Sequence, residues 1–144
     1  MTAHLSQGEP FRWRGVDVLP HKEGDDSFQS VTRQMLTDEA ETSLVYFEIA
    51  PGGHTALERH ESTQVIVPIR GAGSVLIGDV VIELALNDIL MLPSWSWHQF
   101  RASGTEPLGF LCRVTLEGDR PDAPIAADLT LMRSDPEVAE FIRP

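Results

Sequence analysis

The sequence predicts an all-β fold, an antiparallel sandwich or barrel followed by a short C-terminal helical segment. Two patterns carry that expectation. Between residues 31 and 114, short runs of β-branched and aromatic residues alternate with Gly, Pro, Asn and Asp at close intervals, and helical periodicity is absent from the same stretch. Size agrees, since 144 residues with 42% hydrophobic content make one domain around a single core.

The elements follow in order. Residues 1–30 carry Phe11, Trp13 and Phe28 among charged residues and read as an arm that docks on the domain. Strands are expected at 16–19, 31–36, 43–50, 63–69, 73–77, 80–84, 89–92, 98–102 and 109–115. Pro51-Gly52-Gly53 should end the third of these, and Gly78-Asp79 suits a tight hairpin, because glycine adopts the positive φ that such turns need. The barrel is assigned to 31–116. From 117 to 144 the composition shifts to Ala, Leu and acidic residues, and this segment should be helical and packed on the barrel. Ser134-Asp135-Pro136-Glu137 starts a helix, on which Val138, Phe141 and Ile142 share one face.

Composition also excludes function classes. Eleven basic against 22 acidic residues give a net charge of −11, which repels a nucleic-acid backbone and anionic lipid, so neither nucleic acid nor membrane is an expected partner. No apolar stretch is long enough to cross a bilayer, and the start, MTAHLSQGEPFRWRG, lacks the apolar centre of a signal peptide. The single cysteine, Cys112, cannot form an internal disulfide, in keeping with a reducing cytoplasm, which is the expected location. Phosphate loops, nucleophile elbows and dinucleotide fingerprints are missing from the sequence.

Two blocks carry the chemistry, PGGHTALERHESTQVIVPIRG from Pro51 and NDILMLPSWSWHQFRA from Asn87. They resemble the paired motifs of the cupin superfamily. Gly52, His60, Gly71, Pro93 and His98 fall on motif positions, whereas Glu58 stands where a His belongs and Gln64 where a Glu belongs. Asn87, Trp95 and Ala102 also depart from the pattern. The resemblance implies an antiparallel cupin β-barrel, that is, a double-stranded β-helix or jelly roll. It further implies a metal site inside the barrel. Strand side chains alternate between faces, so an extended segment here projects Glu58, His60, Ser62 and Gln64 together, and a later strand adds His98. Two imidazoles and a carboxylate are a common set for a divalent transition metal, with Gln64 as a neutral oxygen donor.

A wider likeness, through VTRQML, YFEIAPGGHTALERHE, PSWSWHQFRA and EPLGFLCRVTLEGDRP, links residues 31–121 to a group of small bacterial single-domain cupins. Some members act in methylthioribose salvage, where a manganese-dependent cupin removes methanethiol from a methylthioxylulose phosphate. The group commonly has a His-x-His-x-His run, of which His60 remains while Ser62 and Gln64 replace the other two. An acidic residue before Arg-His is ordinary there, so whether Glu58 is a ligand stays open. The resemblance implies a small anionic metabolite bound beside Mn, Fe, Ni or Zn, held by His60, His98, Gln64 and Glu58. Glu58 or a metal-bound water would act as base, the metal as Lewis acid, in a lyase, isomerase or oxygenase. A homodimer is also implied. The alternative is a metal-free cupin that binds a ligand or partner without catalysis.

Five further residues are candidate ligand contacts. Arg33 and Arg101, if they face inward, suit a carboxylate or phosphate. Trp97 and Phe100 could wall a ligand near His98. Cys112 could face the cavity, although a buried cysteine is ordinarily a small hydrophobe. His21 and His54 are expected to be exposed.

Overall fold

The computed structural model describes residues 4–21, 29–38, 43–114 and 119–144. Among these, β1 (Gln7–Glu9) and β2 (Arg12–Trp13) form a small hairpin. The remaining strands are β3 (Leu19–Pro20), β4 (Gln29–Thr37), β5 (Ser43–His54), β6 (Gln64–Arg70), β7 (Gly73–Ile77), β8 (Val80–Glu83), β9 (Leu90–Leu92), β10 (His98–Ala102) and β11 (Leu108–Val114). They build one antiparallel sheet in the order β8-β7-β10-β5-β11-β6-β9, with β4 also on β5 and β3 on β4. The sheet curls into a half-barrel. Two short helices follow, α1 (Ala126–Met132) and α2 (Pro136–Phe141). Among the described residues, no helix is long and apolar enough to cross a membrane.

Strand β5 organises the curl. Its first part pairs with β11 up to Ile49↔Leu108, and its last residue, His54, pairs with Arg101 on β10. Contrary to the expectation from sequence, Pro51-Gly52-Gly53 therefore does not end the strand. Gly52 (φ 79°) lies between the two pairings and the chain stays extended to His54. Gly71 (φ 73°) follows β6, and a Cβ there would stand 2.2 Å from the Pro107 carbonyl oxygen, so no larger residue fits. Gly78 (φ 64°) turns the β7–β8 hairpin as predicted.

Alternation along the strands divides the side chains between two cores. The interior holds Val31, Val45, Ile49, Ile66, Phe100, Phe110 and Cys112. On the outer face, Leu57 and Leu76 pack with Val138, Phe141 and Ile142, the helix face read from sequence. Asp135 caps α2, accepting from the Glu137 and Val138 amides at 3.0 and 3.4 Å, with Pro136 in the first turn. Gln99, fully buried, pins the chain end: its Nε2 donates to the Thr55 and Arg143 carbonyls and its Oε1 accepts from the Arg143 amide.

The arm docks through one buried carboxylate. Glu48 receives both Arg12 guanidinium nitrogens at 3.0 Å, Arg70 Nη1 at 2.9 Å and the Tyr46 hydroxyl at 2.9 Å. Phe11 and Trp13 pack on the Tyr46 ring, and Gln34 bonds the Phe11 carbonyl. Pairing in the arm falls on β1, β2 and Leu19–Pro20, so the strand expected at 16–19 is largely replaced. Phe28 and Thr115 lie outside the described residues.

Candidate functional site

Glu58 reaches the barrel interior because its backbone is locked to β10. Its N–H donates to the His98 carbonyl at 3.2 Å, and the His98 N–H donates back to the Glu58 carbonyl at 2.9 Å. His60 is tied to the β9–β10 turn, where the Trp95 amide donates to its carbonyl at 2.7 Å. These links bring three ligand atoms, from the Glu58 carboxylate and the His60 and His98 imidazoles, within 4.8 Å of one another. Both histidines are buried and Glu58 is half-buried.

The tautomers follow from the partners. His60 Nδ1 lies 2.8 Å from the Ser62 carbonyl oxygen and His98 Nδ1 lies 3.0 Å from that of Ser96. A carbonyl can only accept, so each Nδ1 carries the proton and each lone pair is on Nε2. Such a backbone contact commonly orients a metal-binding histidine. Two imidazoles and a carboxylate at this range are a donor set that fits a divalent transition metal, and the Glu58 side chain points toward the two histidines.

The parity argument holds in outcome but not in detail. Residues 61 and 62 form a bend, and β6 begins only at Gln64. Even so, Glu58, His60 and Gln64 line one cavity of about 210 Å³, with Arg33, Phe47 and Asp119. A smaller adjoining cavity, about 60 Å³, is lined by Glu58, Gln64, His98, Phe100 and Cys112. Gln64 Oε1 accepts from the Cys112 thiol at 3.6 Å. Burial pushes that thiol up to about 12, so Cys112 faces the site as a neutral group rather than a thiolate.

A match to the cupin domain family model covers residues 45–114. The chain is 46% identical over 135 residues to a 1-methylthio-D-xylulose 5-phosphate methylsulfurylase of Rhodospirillum rubrum, covering 92% of this chain and 86% of that protein. This chain is a cupin. The solved structure of a cupin 2 conserved barrel domain protein from Rhodopseudomonas palustris superposes with a TM-score of 0.92 at 39% identity, over 99% of this chain and 100% of that one. A cupin-2 domain from R. rubrum gives 0.86 at 44% identity, over 96% and 94%.

Placed on the cupin barrel, the remaining candidates separate by face. Arg33 lies on β4 in the wall of the larger cavity, and among the described residues its buried Nε meets no hydrogen-bond partner. Phe100 is inside, stacked on Phe110 with ring centroids 4.4 Å apart. Trp97 and Arg101 are not brought to the site. Each is offset by an odd number of residues from His98 on an extended chain, so each faces outward. Trp97 lies under the Arg59 guanidinium, 4.5 Å away, and lines an outer groove with Trp95, Leu131 and Met132. Arg101 donates to the Phe141 carbonyl at 3.0 Å and lines a separate outer cavity with Glu83, Glu137 and Glu140. Burial, then the nearby Arg143, holds its pKa below the ordinary arginine value. It holds α2 rather than a ligand.

Two site residues escaped the sequence reading. His21, expected to be exposed, is half-buried in the larger cavity with its ring 4.8 Å from Phe47 in an edge-to-face contact. Asp119 lies beyond both motifs and enters the same cavity beside His60. His54, also expected outside, is half-buried at the end of β5.

Proposed function

We propose that this cupin is a divalent-metal-dependent enzyme acting on a small phosphorylated ketose of the kind named for its R. rubrum relative, 1-methylthio-D-xylulose 5-phosphate. The observation that carries this reading is the meeting of Glu58, His60 and His98 within 4.8 Å. The wall of the same cavity includes Arg33, whose buried Nε meets no hydrogen-bond partner among the described residues. His60, His98 and Glu58 would hold the metal, with Gln64 in the same wall. When bound, such an ion supplies Lewis acidity toward a substrate carbonyl. Arg33 supplies charge and N–H donors for the phosphate. Glu58 takes a proton from the carbon next to the carbonyl, and the C–H electron pair moves onto the carbonyl oxygen to give an enediolate. Phe47, Phe100 and Phe110 limit water at the reacting end. The same reading includes a cytoplasmic homodimer, whose assembly light scattering tests directly.

The test has two parts. Elemental analysis of protein purified without chelator should find about one divalent metal per chain, lost in a His60→Ala/His98→Ala double variant. Incubation with 1-methylthio-D-xylulose 5-phosphate, followed by mass spectrometry, should show substrate consumption by the wild type alone. A second reading, a metal-free cupin that binds without catalysis, is favoured by one observation, the Gln64 carbonyl oxygen already accepting from Cys112. Substoichiometric metal, unchanged in the double variant, decides for that reading.

A further inference from the structure

We propose that Asp119 is a specificity-determining residue that accepts a substrate hydroxyl while Arg33 takes the phosphate of the same molecule. The inference rests on the active-site reading above and names two contacts within it. Asp119 is delivered by the chain that follows β11, and it lines the cavity that contains Glu58, His60 and Arg33. Its Oδ2 accepts a hydrogen bond from the Ser62 hydroxyl. Its Oδ1 is buried and, among the described residues, meets no hydrogen-bond partner.

Support of His60 does not account for this carboxylate. The His60 Nδ1 proton is committed to the Ser62 carbonyl at 2.8 Å, whereas Asp119 Oδ2 lies 3.7 Å from that nitrogen, beyond hydrogen-bond range. Ser62 therefore fixes one carboxylate oxygen and leaves the other as an acceptor in a cavity wall. A buried acceptor without a partner is unfavourable and rare in native proteins. Arg33 Nε is its counterpart, a buried donor in the same cavity wall with no partner among the described residues. A molecule that satisfies both must carry an O–H donor and an anionic acceptor on a small frame. A phosphorylated polyol or hydroxyketone has that chemistry, and the Met35, Val45 and Val114 side chains in the same cavity suit an apolar substituent on it.

Isothermal titration calorimetry with two probes tests the assignment. D-xylulose 5-phosphate has the hydroxyls and the phosphate; ethyl phosphate has only the phosphate. The wild type should bind both. Asp119→Ala should weaken D-xylulose 5-phosphate by about tenfold or more and leave ethyl phosphate and metal content unchanged. Asp119→Asn should recover part of the loss, because its amide oxygen still accepts, and this milder change also protects the test against misfolding. Arg33→Gln should abolish binding of both probes. Asp119→Ala that binds D-xylulose 5-phosphate within about twofold of wild type overturns the role of Asp119 alone. Parallel loss of both probes together with metal also overturns it, by showing that Asp119 acts through His60. A wild type that binds neither probe removes this inference and the phosphorylated-ketose reading together.

Discussion

Replacing Glu48 by Gln should detach the arm from the sheet. The carboxylate accepts four hydrogen bonds, two from Arg12, one from Arg70 and one from Tyr46, and its side chain is 10% exposed. Breaking a buried pair from one side costs about 3–5 kcal/mol, because the remaining charge stays buried without compensation. Here the cations are wetter. Arg12 and Arg70 are 37% and 23% exposed, so water takes over part of the lost interaction and about 2–3 kcal/mol is the better expectation. For a chain of this size that corresponds to a fall in Tm of roughly 5–10 °C. Differential scanning calorimetry at neutral pH measures it.

The pH dependence sharpens the test. Burial alone would raise the Glu48 pKa, but the bonds from Arg12 and Tyr46 and the charges of Arg12 and Arg70 outweigh it and hold the value below the ordinary carboxylate range. A depressed folded pKa contributes stability that is complete above the unfolded value, about 4, and is lost as pH falls through the folded one. Gln has no such titration. The gap between wild type and Glu48→Gln should therefore be constant from neutral pH down to about 5 and close on further acidification. A variant that melts within about 1 °C of wild type at pH 7, equivalent to only a few tenths of a kcal/mol, or a gap that widens in acid, refutes the reasoning.

Three further outcomes are expected. Cys112, 1% exposed with its thiol pushed up to about 12, should resist a thiol-specific disulfide reagent at pH 8 in the folded protein and react fully in denaturant; rapid native labelling would refute its burial as a neutral thiol. Gly109→Ala puts a Cβ 2.0 Å from the Tyr46 hydroxyl oxygen, and overpacking of that kind should cost about 1–3 kcal/mol in chemical denaturation, with no effect if the sheet relaxes there. Gln64→His adds an imidazole to the cavity wall and should raise metal affinity by about tenfold in a chelator competition; unchanged affinity places position 64 outside the ligand sphere.

What the sequence made legible depended on local geometry. Strand alternation put His98 and Phe100 on one face of β10, and the same rule, followed one residue further, would have sent Arg101 to the helix side, where Gln99 also points. Which face was inward became clear only from the partners. The helix face of Val138, Phe141 and Ile142 was readable because a capping signal fixes where the 3.6-residue period begins. Asp119 was not readable. It meets Ser62 across 57 positions, in a segment whose composition marks only the end of the barrel, and a contact of that range leaves no periodic trace. Glu48 was hidden for a related reason, since its cations come from Arg12 in the arm and Arg70 at the end of β6.

The altered motif positions behave differently in backbone and in side chain. Gly52 and Gly71 keep positive φ, and so do Asn87 (φ 69°) and Trp95 (φ 60°), which stand where the family pattern has glycine. Asn tolerates that region well, whereas a bulky residue there costs roughly 1–2 kcal/mol. The strain at Trp95 is held by a short bond, its amide donating to the His60 carbonyl at 2.7 Å, the contact that ties the first motif to the turn before His98. A turn that relaxed to negative φ would move that amide and loosen His60 against His98. The backbone that positions the histidines thus carries a local cost at Trp95, balanced by the bond that joins the two motifs.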